Sequence, residues 1–408
     1  MEERIYNENT VSFELPYAVR TALSVFKEHG YRAYVVGGAV RDILRGAPVH
    51  DWDIATETNP HLTKQLFCDY PTYDIGMKHG TVTVNIDGEL IEITTFRTDG
   101  EYKDSRHPEQ VIFTNSLCED LKRRDFTVNA MAMNLAGEIE DPFGGKKDLA
   151  NNIIRAVGVP VDRFTEDALR IMRAYRFSAT LLYDIEYETL KATSICAHRL
   201  DNISRERINE EWKKTITAPF CSKALVMMRK CGILSFIFPG LKVDAEYLRR
   251  LDTLPNEYTL RSAAFFRNCL NEYFESASSR INFSKNEAAE VRMIIEAYRS
   301  IVNDCKQSLR HFCYKYRKCA EYATIIAVHD LLVPEEVLFA VRDTFEDETM
   351  IWSRKDLKVD GNLIKENFEV EPFFIGRLID DLVLMVLDEE IENDREALLE
   401  EIEILLDS

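Results

Sequence analysis

The chain has 408 residues, of which 46% are hydrophobic, and a formal net charge of −19 at pH 7. This length predicts two or more domains with ample apolar material for their cores. No run of about 18 apolar residues occurs and the first ten residues are polar and acidic, which argues against a membrane span, a signal peptide or a transit sequence.

The nine cysteines are scattered and never form Cys-x-x-Cys. We therefore interpret them as reduced packing residues of a cytoplasmic protein, and neither a disulfide framework nor a zinc site is expected.

The negative charge is concentrated near the C-terminus. Residues 335–408 hold 23 acidic and 7 basic side chains, whereas residues 1–334 hold 47 acidic and 44 basic ones. Nucleic-acid binding depends on Lys and Arg at phosphates, so the total charge speaks against it, although a local positive groove is compatible with the first part. We expect the acidic helices to face away from RNA or to mediate self-association, which leaves a homodimer open.

Up to residue 147 the pattern predicts one α/β domain. The β-like runs AYVVGG, GTVTVNID, LIEITTF and TVNAMAMNL alternate with helical segments at 12–29, 39–45 and 60–69. From residue 148 onwards helical periodicity continues to the C-terminus. The fold class is therefore α/β, with a small mixed sheet, followed by an all-α region.

The segment from Tyr34 to Thr56 predicts a phosphate cradle close to metal-binding carboxylates. Gly37 and Gly38 let the backbone approach an anion, and the next helix offers free N–H groups and its positive dipole end. Asp51 and Asp53 alternate on a predicted strand, so both point to one face, where they suit a hard divalent cation. A Gly-Gly turn alone is typical of ordinary turns, and an Asp-x-Asp pair alone is typical of a solvated surface. Together they indicate nucleotidyl transfer.

A third carboxylate is expected near this pair. Glu92 alternates with Ile91 and Ile93 on a predicted neighbouring strand, although a solvated Glu facing outward is the alternative. The polar stretch 97–110 that follows has no clear periodicity, and loops of this length are uncommon without a function.

Two further segments carry charged residues with a chemical interpretation. The run RRDFTVNA, from Arg123 to Ala130, places guanidinium groups before a β-like run, where they either face solvent or bind an anion. The run DPFGG, from Asp141 to Gly145, is interpreted as a structural turn that closes the α/β domain.

Asp167 and Arg170 lie at i and i+3 of a predicted helix, with Arg173 and Arg176 after them. An intrahelical salt bridge is the simpler interpretation. The alternative is base selection, because a carboxylate acceptor beside a guanidinium donor matches the amino group and ring nitrogen of cytosine and adenine. Uracil and guanine would leave polar groups unpaired, at a cost on the order of 1–3 kcal/mol for each group.

Taken in chain order, the segments described above resemble the sequence motifs of the class II tRNA nucleotidyltransferase and poly(A) polymerase family. The resemblance covers residues 31–215. The fifth motif of the family resembles RERINEEWKK, from Arg205 to Lys214. The resemblance implies a nucleotidyltransferase-fold catalytic head at 1–147, a helical neck with the base-selecting pocket at 148–217, and a helical body and acidic tail that bind tRNA at 218–408.

The resemblance also implies the roles of individual residues. It implies that Asp51 and Asp53 are catalytic carboxylates that hold Mg²⁺, and Glu92, expected from the strand pattern, is the candidate third catalytic carboxylate. The nucleotide-binding residues are Gly37, Gly38, Arg41, Arg124, Asn129, Asp167, Arg170, Arg173 and Arg176. The implied partners are tRNA, CTP and ATP, with no membrane.

The function favoured by this resemblance is template-independent addition of CCA to the 3′ end of tRNA. An intact segment at 97–110 disfavours a CC-adding enzyme, in which the loop is shortened. An A-adding enzyme and a poly(A) polymerase stay as alternatives. The dipeptides at His50 and His329 also suggest an HD-type phosphohydrolase, but no helical set of further His and Asp ligands accompanies them. An inactive RNA-binding protein is a second remote alternative.

Overall fold

The structure is a computed structural model, and it describes residues 11, 13–74, 76–99 and 111–407. The chain divides into two compact units, the first ending at Ala245 and the second beginning at Glu246. The predicted fold class, an α/β part followed by a helical part, is confirmed. The finer boundaries after residues 147 and 217 stay predictions.

Eleven strands occur in the described residues, and seven of them form one mixed sheet in the order β3-β4-β5-β2-β1-β8-β9. The strands are β1 (Ala33–Val36), β2 (Asp53–Thr56), β3 (Thr72–Tyr73), β4 (Thr81–Ile86), β5 (Glu89–Thr95), β6 (Arg97–Asp99), β7 (Val111–Phe113), β8 (Ala132–Met133), β9 (Ile139–Glu140), β10 (Ile153–Ile154) and β11 (Asp184–Ile185). Strands β2 and β5 are parallel, and the other neighbours in the large sheet are antiparallel.

Helices surround the sheet and make up most of the chain after residue 159. Those that begin in the first unit are α1 (Tyr17–Glu28), α2 (Gly38–Arg45), α3 (Pro60–Leu66), α4 (Leu117–Lys122), α5 (Gly145–Ala150), α6 (Pro160–Glu166), α7 (Leu169–Leu181), α8 (Tyr187–Cys196), α9 (Arg205–Ile216), α10 (Cys221–Lys230), α11 (Ile233–Ile237) and α12 (Ala245–Leu248).

The second unit is helical throughout its described residues. Its further α-helices are α13 (Tyr258–Phe266), α14 (Asn271–Arg280), α15 (Lys285–Asn303), α16 (Leu309–Tyr316), α17 (Lys318–His329), α18 (Glu335–Glu346), α19 (Gly361–Asn367), α20 (Pro372–Leu387) and α21 (Arg395–Asp407). Short 3-10 helices lie at Met77–His79, Thr127–Asn129, Ala197–Asn202, Leu251–Thr253 and Arg354–Asp356. None of the described helices is long and apolar enough to span a membrane.

The large sheet is buried on both faces, which fixes the positions of its strands. Val35 of β1 belongs to one apolar cluster with Phe26 of α1, and the next residue, Val36, belongs to a second cluster with Phe96. This alternation follows from the two-residue period of a strand. Because both faces are covered, the ends of β2 and β5 are held in a fixed register.

Several predicted boundaries were wrong in detail. The helix predicted at 12–29 begins at Tyr17, and the one predicted at 60–69 ends at Leu66. In the predicted strand TVNAMAMNL, residues 127–129 form a 3-10 helix and only Ala132 and Met133 are in a strand. Residues 97–99 of the predicted loop form β6, and its residues 100–110 lie outside the described residues.

Candidate active site

The Gly-Gly turn between β1 and α2 is lined by two arginines. Gly37 has φ +75°, and a Cβ atom placed there would lie 3.0 Å from Nη1 of Arg124. A Cβ atom on Gly38, the first residue of α2, would lie 3.4 Å from Nη2 of Arg41. Glycine therefore allows both the turn conformation and the close approach of the guanidinium groups. Free backbone N–H groups and two cations meet at the start of α2, which suits a phosphate.

The predicted carboxylates lie where the start of β2 pairs with the middle of β5. Asp53 is the first residue of β2, and it lies directly beside Glu92 of β5 in the parallel register. The prediction that Asp51 also lies on this strand was wrong, because β2 begins only at Asp53. All three side chains belong to exposed residues. Each therefore presents its oxygens where a ligand can reach them.

The charge around Asp53 suits a cation. Although Asp53 is exposed, the protein atoms around its carboxylate partly desolvate it and raise its pKa; Arg124 lowers the pKa, and the negative charges of Glu92 and Asp51 raise it further. No three His, Cys, Asp or Glu side chains within the described ranges form a ready-made metal site. Mg²⁺ commonly takes only one or two carboxylates and completes its shell with water and phosphate oxygens. Asp51 and Asp53 fit that donor set.

A cleft of about 730 Å³ adjoins these carboxylates, and we call it the arginine cleft. Its walls come from the Gly-Gly turn, the segment 123–129, helix α7 and helix α9. The lining residues are Gly37, Gly38, Ala39, Arg41, Asp42, Val49, His50, Asp51, Asp53, Arg123, Arg124, Asp125, Asn129, Asp167, Leu169, Arg170, Arg173, Phe177, Thr180 and Arg207. Six arginines in one cleft favour an anionic ligand such as a triphosphate.

A hydrogen-bonded chain connects α2 with α7 along the floor of this cleft. Nη1 of Arg41 donates to Oδ1 of Asn129 at 2.7 Å, and Nδ2 of Asn129 donates to Oδ1 of Asp125 at 3.1 Å. Asp125 also accepts from Nε of Arg173 at 2.8 Å. Burial opposes the charge on Asp125, but Arg173 and the hydrogen bonds of Asn129 and Phe126 outweigh it and lower the pKa of Asp125 to about 2. This charged, hydrogen-bonded chain therefore fixes α2 and α7 relative to each other across the cleft.

The proposed base-selecting pair does not lie on one helix, so the i, i+3 prediction was wrong. Asp167 is extended, with φ −140° and ψ 104°, between α6 and α7, and it accepts from the backbone N of Leu169 at 3.0 Å. Arg170 lies in the first turn of α7 and donates to Glu166 at 2.7 Å and to the carbonyl of Arg123 at 2.8 Å. The two side chains line the same cleft but hold different partners.

Arg207 is the residue that contacts Asp167. Nη2 of Arg207 donates to Oδ2 of Asp167 at 2.8 Å, and its Nη1 is buried without a hydrogen-bond partner among the described residues. An unsatisfied buried donor costs about 1–3 kcal/mol. It is therefore well suited to receive an acceptor from a ligand.

Arg176 is the one predicted nucleotide-binding residue that is absent from the lining of the arginine cleft. Its Nε donates to Oε2 of Glu211 at 2.6 Å, and its guanidinium lies 4.1 Å from the ring centroid of Phe177. Arg41 and Arg173 lie 5.4 Å from the same ring. Arg176 therefore packs against Phe177 without lining the cleft, whereas Arg41 and Arg173 lie near the same ring and line the cleft.

A second cleft, of about 650 Å³, shares His50, Asp51 and Asp53 with the arginine cleft. We call it the tryptophan cleft. Its other lining residues are Pro16, Trp52, Thr83, Glu89, Leu90, Ile91 and Glu92. Glu92 thus faces this cleft and is absent from the lining of the arginine cleft.

The two HD dipeptides lie in different units. His50 and Asp51 border the clefts, whereas Asp330 of the second unit accepts from Nε of Arg267 at 2.6 Å and from the hydroxyl of Tyr298 at 2.8 Å. These contacts make Asp330 part of a packed polar network.

Sequence reasoning assigned no role to Asp125, Phe177, Arg207 or Glu211. Of these four, only Arg207 and Glu211 have a spacing that the sequence shows, because they lie at i and i+4 of α9 and therefore on one face of that helix. The contact of Asp125 with Arg173 joins residues 48 positions apart, and no sequence pattern indicates it.

Comparisons with known proteins cover almost the whole chain. Family models described as "Poly A polymerase head domain" and "Probable RNA and SrmB- binding site of polymerase A" match residues 33–155 and 183–244. A CCA-adding enzyme of Streptococcus gordonii is 36% identical over 395 residues, which cover 94% of this chain and 97% of that protein. One of Streptococcus pneumoniae is 37% identical over 406 residues, with the same coverage.

The fold is also that of a solved structure. The crystal structure of the Bacillus stearothermophilus CCA-adding enzyme in complex with CTP matches with a TM-score of 0.83 and 31% identity. The match covers 97% of this chain and 100% of that one.

Proposed function

The chain belongs to the family of CCA-adding enzymes, and we propose that its two clefts and carboxylates carry out this family's reaction. The enzyme adds CCA to the 3′ end of tRNA from CTP and ATP, without a nucleic-acid template. The observation that carries the proposal is the junction of an arginine-lined cleft with two exposed aspartates at one strand end.

Asp51 and Asp53 would hold Mg²⁺, with Glu92 as a candidate third ligand. When bound, the ion lowers the pKa of an attacking hydroxyl and offsets the charge of a leaving pyrophosphate. The position of Asp53 beside Glu92 supports this assignment, because a cation would relieve the repulsion between their negative charges, which adds to desolvation in raising the pKa of Asp53.

The triphosphate would lie at the start of α2. The N–H groups after Gly37 and Gly38 donate to phosphate oxygens, and Arg41 and Arg124 supply positive charge. Asn129 keeps Arg41 directed at this position through its 2.7 Å hydrogen bond. No nucleophilic side chain is required, because the attacking group is the 3′-hydroxyl of the RNA.

The base would be selected at the opening of α7. Asp167 accepts from the amino group of cytosine or adenine, and Arg170, with Arg124, donates to the ring nitrogen. Arg170 would first have to give up contacts to Glu166 and to backbone carbonyls. Arg173 holds Asp125 at the rear of the same cleft.

The compartment and the partners follow from this reaction. We propose that the protein acts in the cytoplasm, where its nine cysteines, all free, would stay reduced. The helical residues 218–408 would bind the body of the tRNA through its backbone and shape.

The test is incubation with tRNA transcripts that lack the last nucleotide, the last two or all three of the CCA end, each with CTP, ATP or both. We expect the complete end from every transcript when both nucleotides are present. Addition of A alone would indicate an A-adding enzyme, and long A tails a poly(A) polymerase. Binding without incorporation would indicate an inactive RNA-binding protein.

A further inference from the structure

The tryptophan cleft has no role in the account of nucleotide binding, yet it shares the catalytic aspartates. His50, Asp51 and Asp53 are the residues common to both clefts. A ligand in either cleft therefore reaches the same pair of carboxylates.

The lining of the tryptophan cleft differs in chemistry from that of the arginine cleft. Among the described residues no Lys or Arg lines it, and its ionisable lining residues are four carboxylates and His50. Its apolar wall contains Trp52 and Leu90, and Leu90 is 60% exposed. The ring of Phe13 lies 6.2 Å from that of Trp52. An exposed leucine and an aromatic ring beside four acidic residues suit the face of a base better than a phosphate.

The geometry of phosphoryl transfer assigns the two clefts to different reactants. The attacking oxygen and the leaving group lie roughly in line, on opposite sides of the transferred phosphorus. Six arginines line the arginine cleft and no described arginine lines the tryptophan cleft, so the triphosphate and its leaving pyrophosphate belong in the arginine cleft. The attacking hydroxyl must then approach the shared aspartates from elsewhere, and the tryptophan cleft is an opening that adjoins them.

We propose that the tryptophan cleft binds the unpaired 3′-terminal nucleotides of the acceptor RNA, with bases and riboses packed on Trp52 and Leu90. This inference rests on the proposed function. Because no described Lys or Arg lines the cleft, the proposed contact is apolar and does not depend on phosphate neutralisation. Trp52 also packs against the apolar cluster of the head, so its ring is held in place for stacking.

Leu90→Ala is the primary test, because an exposed side chain can be shortened without loss of folding. We expect the KM for tRNA to rise about fivefold to tenfold, as for loss of one base contact, while the KM for CTP stays unchanged. The dependence of the tRNA KM on salt should keep its slope, since no phosphate contact is lost. Leu182→Ala is the matched control, since Leu182 is 49% exposed, lines neither cleft and precedes the residues proposed to bind the body of the tRNA.

Trp52 supplies a second readout that does not require turnover. A tRNA transcript with 2-aminopurine as its last unpaired nucleotide should lose fluorescence on binding to the wild type, because the base stacks on the indole. Trp52→Leu should reduce this quenching and raise the KM for tRNA, and Trp52→Phe, which keeps an aromatic ring, should restore most of the affinity.

Two results would overturn the inference while leaving the proposed function intact. One is an unchanged KM for tRNA in Leu90→Ala and Trp52→Leu, measured beside a wild type that adds CCA. The other is an equal rise in the KM values for CTP and tRNA, which would place the nucleotide in this cleft. A wild type that adds no nucleotide to any transcript would instead overturn the proposed function, and the inference with it.

Discussion

Asp53 is the residue at which the charges of the site converge. Its carboxylate stands beside Glu92 and near Asp51, and the repulsion among the three is opposed within the protein mainly by Arg124. A site of this kind gains free energy when a divalent cation binds, because the ion relieves repulsion that folding has already imposed. Loss of Asp53 should therefore affect catalysis far more than folding.

We expect Asp53→Asn to lower kcat for CTP and ATP incorporation by more than about 100-fold, because metal-assisted transfer supplies several kcal/mol. The thermal unfolding midpoint should stay the same or rise, because a carboxylate with a raised pKa is replaced by a neutral amide. Asp69→Asn, at an exposed aspartate outside both clefts, is the control. Residual turnover within tenfold of wild type would contradict the metal assignment.

Arg207 gives a prediction about selectivity. Its contact with Asp167 orients the proposed base-accepting carboxylate, and its second Nη atom is buried and unsatisfied. Arg207→Lys keeps the charge but loses the two-pronged geometry, so kcat/KM for CTP and ATP should fall about tenfold while that for UTP and GTP changes less. The measurement is the ratio of kcat/KM values for CTP over UTP and ATP over GTP.

A matched comparison is Arg199→Lys, at an arginine of the same unit that lines neither cleft. An unchanged discrimination ratio in Arg207→Lys would show that Asp167 needs no orienting partner.

The residues of the site differ in how far the sequence determines them. The placement of Glu92 beside Asp53 was predictable, because strand alternation and neighbouring β-like runs leave few arrangements. The break at Asp167 was not. The segment EDALR consists mostly of good helix formers, and the extended Asp167 is held both by a local hydrogen bond from the N–H of Leu169 and by Arg207, 40 residues later in the chain. Contacts of that separation override local propensity and leave no periodic signal.

At the scale of elements, α7 is the helix on which the cleft depends. Its Arg173 binds Asp125, which follows α4, and its Phe177 packs against Phe126 with ring centroids 5.7 Å apart. Together these contacts join the α/β part of the first unit to its helical part. The order of elements was predictable from periodicity, whereas this junction depends on side chains that meet only in the folded chain.

The Asp125 link should make the first unit sensitive to acid. The pKa of Asp125 is about 2 in the folded protein, below the usual value of 3.8. A depressed folded-state pKa contributes stability above the unfolded value, and that contribution is lost as the pH falls through about 4 towards 2. It is worth on the order of 2 kcal/mol at neutral pH.

Asp125→Asn should therefore lower the free energy of unfolding of the first unit by on the order of 2 kcal/mol at pH 7. The difference from wild type should shrink between pH 4 and pH 2. Urea titrations at pH 7, 4 and 3, with hydrogen exchange of residues 123–133, measure it. Asp69→Asn is again the control. A difference that is independent of pH would assign the effect to lost packing.

At the scale of the whole molecule, the charge distribution separates a nearly neutral first part from an acidic end. The arginine cleft is lined by six arginines and five aspartates in a protein of net charge −19, so the excess of positive charge that a nucleotide meets is small and local. Composition predicted the nearly neutral first part and the acidic end. It could not predict the arginine cleft, because the arginines that line it lie up to 166 residues apart in the sequence, from Arg41 to Arg207.

Helix α21 presents the acidic charge as one continuous face. Glu396, Glu400 and Glu403 are exposed at helical spacing, while Leu398 and Ile402 are buried on the opposite side. A face of like charges repels a phosphate backbone, and salt screens that repulsion over about 8 Å at physiological ionic strength. If this face lies away from bound tRNA, its charge should influence affinity only weakly.

We therefore expect the triple substitution of Glu396, Glu400 and Glu403 by Gln to lower the KM for tRNA by less than about threefold at 0.15 M salt, with a larger effect at low salt. Light scattering on the same variant tests self-association, because an interface formed by this face would change its oligomeric state. The matched control is Glu366→Gln with Glu369→Gln, which removes acidic charge outside α21. A tenfold rise in the KM for tRNA would contradict the expectation, since it would mean that the carboxylates themselves contact the RNA or hold a surface that does.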